Sequence, residues 1–129
     1  MLRNLGSWRP FLVHALVAPV AFIGTPRQRL WKYFEFEVAP NNEKLDLTLN
    51  LPEKDFPWSS GFESVVKVDN KRKVWTAEWR IPFAALGEAP RAGSRWRLNL
   101  YRCDYANKAF LAWRPTGQGS FRVPERFGT

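Results

Sequence analysis

The segment YFEFEV, residues 33–38, alternates phenylalanine and glutamate with a period of two. This period indicates a β-strand, because successive side chains of a strand point to opposite faces of a sheet. Phe34, Phe36 and Val38 then share one face, and the two glutamates share the other. The segment therefore predicts a strand with one strongly apolar face that must pack against a second layer.

Five more segments downstream are predicted as strands, and turn residues separate them. They are LDLTLN (45–50), SVVKV (64–68), VWTAEWRI (74–81), RWRLNLYRCD (95–104) and KAFLAW (108–113). The turn DNKRK joins the second and third of them and is of the Asp/Asn type that closes hairpins. Short strands joined by turns are typical of an all-β fold, so we predict an antiparallel β-sandwich.

The remaining segments are punctuated by proline and glycine. We predict a loop over residues 51–62 and a single helical turn over PFAAL (82–86), which Pro82 can begin and Gly87 can end. Residues 113–129, WRPTGQGSFRVPERFGT, hold too many prolines and glycines for one regular element, and we call them the terminal loop.

The first 30 residues differ from the rest of the chain. The apolar run FLVHALVAPVAFIG (11–24) follows two arginines, which is the outline of a signal peptide. Pro10 and Pro19 interrupt it, and it is too short for a membrane span. Three interpretations stay open: a signal peptide, divergent first strands, or a segment without a native structural role. We expect a 1–30 segment and a 31–129 sandwich that lacks its closing strand after Thr129.

The net charge of +8 is concentrated near the start of the chain. Residues 1–32 carry five Lys and Arg and no acid, whereas residues 33–129 carry 15 Lys and Arg against 12 acids, a surplus of three. The larger part has a mixed-charge surface rather than a basic stripe, so we expect neither a nucleic-acid nor a membrane partner. The single Cys103 excludes an intramolecular disulfide.

Motifs for most chemistry are absent from the sequence. It contains no glycine-rich phosphate loop, no Cys/His cluster with zinc spacing and no EF-hand, so no cofactor is expected. Glu35 and Glu37 are about 6.5–7 Å apart if both lie on one strand face, which invites comparison with a glycosidase acid pair. We favour an exposed acidic face paired with cross-strand cations, and we expect no catalysis by this chain.

Seven tryptophans raise the question of which aromatic residues bind and which fill the core. Trp75, Trp79 and Trp96 lie in strand alternations and are predicted to be core residues. Trp58 and Phe121 lie in loops, where an aromatic side chain either plugs the end of the sandwich or offers a stacking surface to a ligand. Sequence spacing leaves both interpretations open.

Four ordered segments together resemble a known family. YFEFEVAPN, VWTAEWRIPFAALG, WRLNLYRCD and AWRPTGQGSFRVPERFGT are similar to the carbohydrate-binding module family 9-like domains of the DOMON-like β-sandwich superfamily. The resemblance implies a β-sandwich in an extracellular or periplasmic protein, often attached to xylanases and other glycoside hydrolases. It implies xylan- or cellulose-type glycans as partners, and a structural calcium that the sequence itself does not support.

The resemblance also implies which residues bind the glycan. Phe121 occupies the position of the terminal-loop aromatic that stacks on a sugar ring, and Arg122 lies beside it. Polar contact positions are expected at Glu37, Tyr101, Asn99 and Gln118. The alternative is a structural or interaction sandwich that has lost its ligand. An exposed Phe121 favours the first function and a buried Phe121 favours the second.

Overall fold

The computed structural model describes residues 18–129, and the described chain is almost entirely β-structure. Two short 3-10 helices, Phe83–Leu86 and Pro124–Arg126, complete it. The strands are β1 (Ala18–Gly24), β2 (Lys32–Val38), β3 (Lys44–Asn50), β4 (Glu53–Asp55), β5 (Glu63–Asp69), β6 (Val74–Arg80), β7 (Arg97–Asp104) and β8 (Ala109–Ala112). None of the helices in the described residues could span a membrane.

Six strands form one antiparallel sheet in the order β4-β3-β2-β1-β7-β8, and β5 and β6 form a separate hairpin. Strand β1 lies in the centre of the large sheet, where Phe22 is opposite Glu35 of β2 and Asn99 of β7. The central strand therefore comes from the N-terminal segment that the sequence left open, while residues 1–17 lie outside the described residues. The predicted all-β antiparallel fold is confirmed.

One face of the large sheet, the hairpin face, is defined by Phe34, Phe36 and Val38 and packs against the second layer. Trp58 contacts Phe34 with ring centroids 5.3 Å apart, and Trp79 of the hairpin packs on Phe62 at 6.0 Å. Trp79 and Trp96 pack against this core, as predicted, whereas Trp75, predicted to be a core residue with them, is half-buried and lines a recess between the hairpin and the large sheet. Trp58 is a plug over the core rather than a free loop aromatic.

The opposite face, the loop face, carries Tyr33, Glu35 and Glu37 and is covered by the terminal loop. Its apolar core comprises Val20, Phe22, Tyr33, Leu45, Leu47, Leu49 and Tyr101, with Phe121 and Phe127 of the terminal loop packed on it. Phe127 lies edge-on to Tyr33, with ring centroids 5.1 Å apart. Strand β2 is thus buried on both faces, and the prediction of an exposed acidic face is wrong.

The ends of the sheet differ from expectation in two places. The predicted loop 51–62 contains β4, which extends the sheet beyond β3. The terminal loop returns to the sheet, where Gly128 and Leu98 exchange two backbone hydrogen bonds of 2.8 Å. This bridge pairs the end of the terminal loop with the beginning of β7. The helical turn that Gly87 ends, with φ 81°, is confirmed.

Truncation of Phe36 tests the two-layer packing. Phe36 is fully buried between the sheet and Phe62, so Phe36→Ala should lower the free energy of unfolding by about 3–5 kcal/mol. Phe83→Ala is the matched control. Because Phe83 is half exposed, this variant should lose far less free energy of unfolding. Urea unfolding followed by tryptophan fluorescence measures both. Equal losses for the two variants would contradict this packing.

Candidate ligand-binding site

A cavity of about 960 Å³ lies between the loop face and the terminal loop. This volume is at the upper end of the range of small-molecule sites. The sheet contributes Glu35 and Glu37 of β2 together with Cys103 of β7, and residues 115–122 of the terminal loop form the opposite wall. Phe110, of β8, stands at the rim.

A buried ion pair forms the floor of the cavity. The Arg122 guanidinium donates through Nε to Glu35 Oε2 at 3.0 Å and through Nη2 to Oε1 at 2.9 Å. The Glu35 side chain is 1% exposed and that of Arg122 is 32% exposed. Burial acts to lower the pKa of Arg122, but the charge of Glu35 and its hydrogen bonds outweigh burial and raise that pKa. The pair is charged and anchors the terminal loop to the sheet.

Glu37 is the second carboxyl group of the floor, and its environment differs from that of Glu35. Burial, the negative charge of Glu35 and a hydrogen bond to Glu35 raise the pKa of Glu37 to about 8. The described residues contribute no cation within ion-pair distance of Glu37. The protonated form of Glu37 is therefore favoured, and its proton is shared with Glu35 at the floor of the cavity.

Four aromatic side chains line the cavity: Phe22 from the sheet, and Tyr105, Phe110 and Phe121 around its entrance. Phe121 is half-buried and stacks on Tyr101, with centroids 4.2 Å apart and an interplanar angle of 25°. Phe110, 55% exposed, lies edge-on to Phe121 at 6.2 Å and to Tyr105 at 5.4 Å. One face of the Phe121 ring is thus covered by Tyr101, and the ring of Phe110 is the more accessible of the two.

Tyr101 and Asn99 support the terminal loop rather than line the cavity. The Tyr101 hydroxyl donates to the Phe121 carbonyl at 3.0 Å. The Asn99 amide group donates to the Arg114 carbonyl at 2.8 Å and accepts from the Arg114 N–H at 2.9 Å. Both side chains are buried beneath the loop, so in this structure they fix its position.

Gln118 lies at the exposed tip of the terminal loop. Thr116 shapes the turn, since its hydroxyl lies 2.9 Å from the Ser120 carbonyl and 3.3 Å from the Gln118 N–H. Gln118 and Arg122 line both the cavity and an adjoining groove of about 520 Å³ that includes half-exposed Trp31. The loop therefore separates two neighbouring recesses.

The structure brings Phe121, Arg122, Glu37 and Gln118 to one cavity and adds residues that the sequence did not identify. Glu35 and Phe110 line it too, but Glu35 was assigned to an exposed surface and Phe110 to an ordinary strand. The spacing of Glu35 and Glu37 was the one feature of the sequence that could have indicated Glu35 as a site residue. Cys103 lines the cavity as a thiol, because burial and the charges of Glu37 and Glu35 raise its pKa to about 11.

Metal binding has little support in this part of the chain. Among residues 18–129, no group of three or more His, Cys, Asp and Glu side chains is arranged to hold a metal ion. The guanidinium of Arg122 is bonded to Glu35, and Glu37 shares a proton with Glu35. What the arrangement offers a ligand is aromatic surface, one carboxyl group without an ion-pair partner among the described residues, and one charged pair.

Two known proteins resemble this chain, and no protein-family profile matches it. A protein named "Extracellular protein" from Arthroderma benhamiae is 27% identical over 125 residues, covering 83% of this chain and 56% of the relative. The crystal structure of a "putative carbohydrate-binding protein" from Bacteroides uniformis superposes with a TM-score of 0.66 at 19% identity, covering 90% of this chain and 61% of that chain. This chain shares the fold of the Bacteroides uniformis structure. It spans less than two thirds of the length of either protein.

Removal of the Arg122 guanidinium should destabilise the protein strongly. Arg122→Ala leaves the buried Glu35 carboxylate without its partner, which costs about 3–5 kcal/mol of unfolding free energy. Arg80→Ala is the control, because the Arg80–Glu63 pair is exposed on both sides and is worth about 0–1 kcal/mol. Denaturant unfolding of both variants at neutral pH compares them. An Arg122→Ala protein as stable as the control would contradict the pairing.

The raised pKa of Glu37 predicts a pH-dependent stability. An acid whose pKa is higher in the folded state destabilises that state as pH rises through the interval, here from its ordinary value of 4.5 to about 8. Glu37→Gln should remove this loss of stability, so that above pH 8 the variant is more stable than the parent by up to about 5 kcal/mol, because a pKa difference of one unit corresponds to about 1.4 kcal/mol. Unfolding titrations from pH 5 to pH 9 test it. Parallel curves for the two proteins would exclude a raised pKa.

Proposed function

We propose that this chain is a non-catalytic carbohydrate-binding domain and that the cavity between the loop face and the terminal loop is its glycan site. The observation that carries the proposal is the combination of aromatic wall and polar floor in one recess of about 960 Å³. The apolar C–H face of a pyranose can lie on an aromatic ring while its hydroxyl groups bond to polar groups beneath.

The roles of individual residues follow from this geometry. Phe121 and Phe110 offer ring surface, and Tyr101 holds Phe121 in place by stacking. Arg122 supplies hydrogen-bond donors from the floor and Glu37 supplies carboxyl oxygens that accept hydrogen bonds, while Glu35 orients the guanidinium. Asn99 affects ligand binding indirectly, because its two hydrogen bonds to the Arg114 backbone position the terminal loop. Gln118 contacts the part of the ligand that leaves the cavity.

Fold and comparisons support the general function. The sandwich is shared with the Bacteroides uniformis protein described as carbohydrate-binding, although a shared fold alone does not specify a ligand. The named extracellular relative supports secretion. We further propose that the chain is a member of the family 9-like modules, that its ligands are of the xylan or cellulose type, and that it accompanies a polysaccharide-degrading hydrolase outside the cell or in the periplasm.

A second function, a structural or interaction sandwich without a ligand, is favoured by one observation. Phe121 stacks on Tyr101 and packs against the core of the loop face, so its ring already has an internal partner. In this alternative the Glu35–Arg122 pair serves only to close the sandwich. Binding measurements separate the two functions.

Titration with soluble xylo- and cello-oligosaccharides, followed by tryptophan fluorescence and calorimetry, tests the glycan site. We expect saturable binding that weakens about tenfold in Phe110→Ala and at least as much in Phe121→Ala, since each removes a stacking surface. Phe83→Ala removes an exposed phenylalanine outside the cavity and should bind like the parent. A folded parent protein that binds no oligosaccharide would favour the structural alternative.

A further inference from the structure

The floor of the cavity holds more carboxyl groups than cations. Glu35 and Glu37 both point to the loop face of β2, and the guanidinium of Arg122 is committed to Glu35 by two hydrogen bonds. The other titratable groups facing Glu37 are Cys103 and Tyr105, and neither carries positive charge. Glu37 is therefore the carboxyl group at which a cation from outside could form a second ion pair.

The aromatic wall next to this carboxyl group favours the same kind of charge. Phe110, Phe121 and Tyr105 surround the cavity entrance on the side of β8. The faces of aromatic rings attract cations, and this attraction is strongest in partly desolvated sites. A carboxyl group without a cationic partner and a set of ring faces are independent features, and both favour a positively charged group over an anionic one.

We infer that the glycan bound here contains amino sugars with a free amine, and that the ammonium group of one such ring pairs with Glu37. This inference rests on the proposed glycan site, and it replaces the neutral xylan- or cellulose-type chain with an amino-sugar chain as the preferred ligand of that cavity. In the free protein Glu37 carries a proton, which passes to the solvent when the ammonium group binds, so the complex contains two ion pairs on one floor. The sugar ring stacks on the aromatic wall.

The net charge of the whole chain acts against the binding of cationic sugars. The chain carries a net charge of +8, so general electrostatic attraction disfavours cationic sugars and favours acidic ones. A preference for an ammonium group can then arise only from a local arrangement such as the one around Glu37. Uronic acid rings are expected to bind worst in this cavity, because their carboxylate would meet Glu35 and Glu37.

Calorimetric titration with oligomers of glucosamine, N-acetylglucosamine and glucose tests the inference, because at equal length and linkage they differ only in one ring substituent. At a mildly acidic pH, where the sugar amine is protonated, and at physiological salt, we expect the glucosamine oligomer to bind about tenfold or more tightly than the other two, as a desolvated ion pair and cation–π contact imply. Repetition in buffers of different ionisation enthalpy should reveal release of up to one proton per site with this oligomer alone.

Two variants test whether Glu37 is the group responsible for the amino-sugar preference. Glu37→Gln keeps the shape and the hydrogen-bonding capacity of the protonated side chain, and we expect it to bind all three oligomers equally and without proton release. Glu53→Gln, an exposed change on β4, should keep the preference of the parent.

Three results would overturn the inference. Equal or tighter binding of the uncharged oligomers by the parent would remove the amino-sugar preference and leave the glycan site standing. A preference that persists in Glu37→Gln would place the selective group elsewhere. Absence of binding by all three oligomers to a folded protein that binds xylo-oligosaccharides would overturn the inference alone, and absence of binding by xylo-oligosaccharides as well would overturn the proposed function with it.

Discussion

The bidentate ion pair between Glu35 and Arg122 is the constraint on which the architecture of the loop face depends. It joins the centre of the sheet to a terminal loop that has little regular structure of its own. A buried carboxylate needs a compensating charge, and the loop can supply it only in one position. Because Arg122 is fixed there, the neighbouring Phe121 is set against Tyr101 and the cavity acquires its second wall.

The two faces of the large sheet are covered by different means. On the hairpin face the cover is a regular β-hairpin with tryptophans, and the contact is apolar. On the loop face the cover is an irregular segment held by side chain-to-backbone bonds from Asn99 and Tyr101. The recess between the hairpin and the large sheet is small, about 390 Å³, whereas a loop held at a few polar points leaves more room between those points. The cavity lies on the second face for this reason.

Part of the candidate site was accessible to sequence reasoning. Phe121 and Arg122 attracted attention because an aromatic and a basic residue stand together in a segment too rich in proline and glycine for a regular element. Glu37 was implied as a contact residue only by the family resemblance, whereas its place on a strand face had indicated exposure. Glu35 has the same spacing signal, but its burial could not be read from alternation, since alternation separates two faces without stating which of them faces water. Phe110 became notable only after β8 was placed at the cavity rim.

The sequence by itself determined the all-β class, most strand positions, the hairpin and the helical turn at Pro82, because period-two alternation and turn chemistry act between residues close along the chain. Tertiary structure decided that β1 is central, that both faces of β2 are buried and that Gly128 returns to β7. It also decided the cavity, whose floor joins Glu35 to a residue 87 positions away. Contacts over such a separation depend on how the strands are ordered in the sheet, and strand order leaves no local signal in the chain.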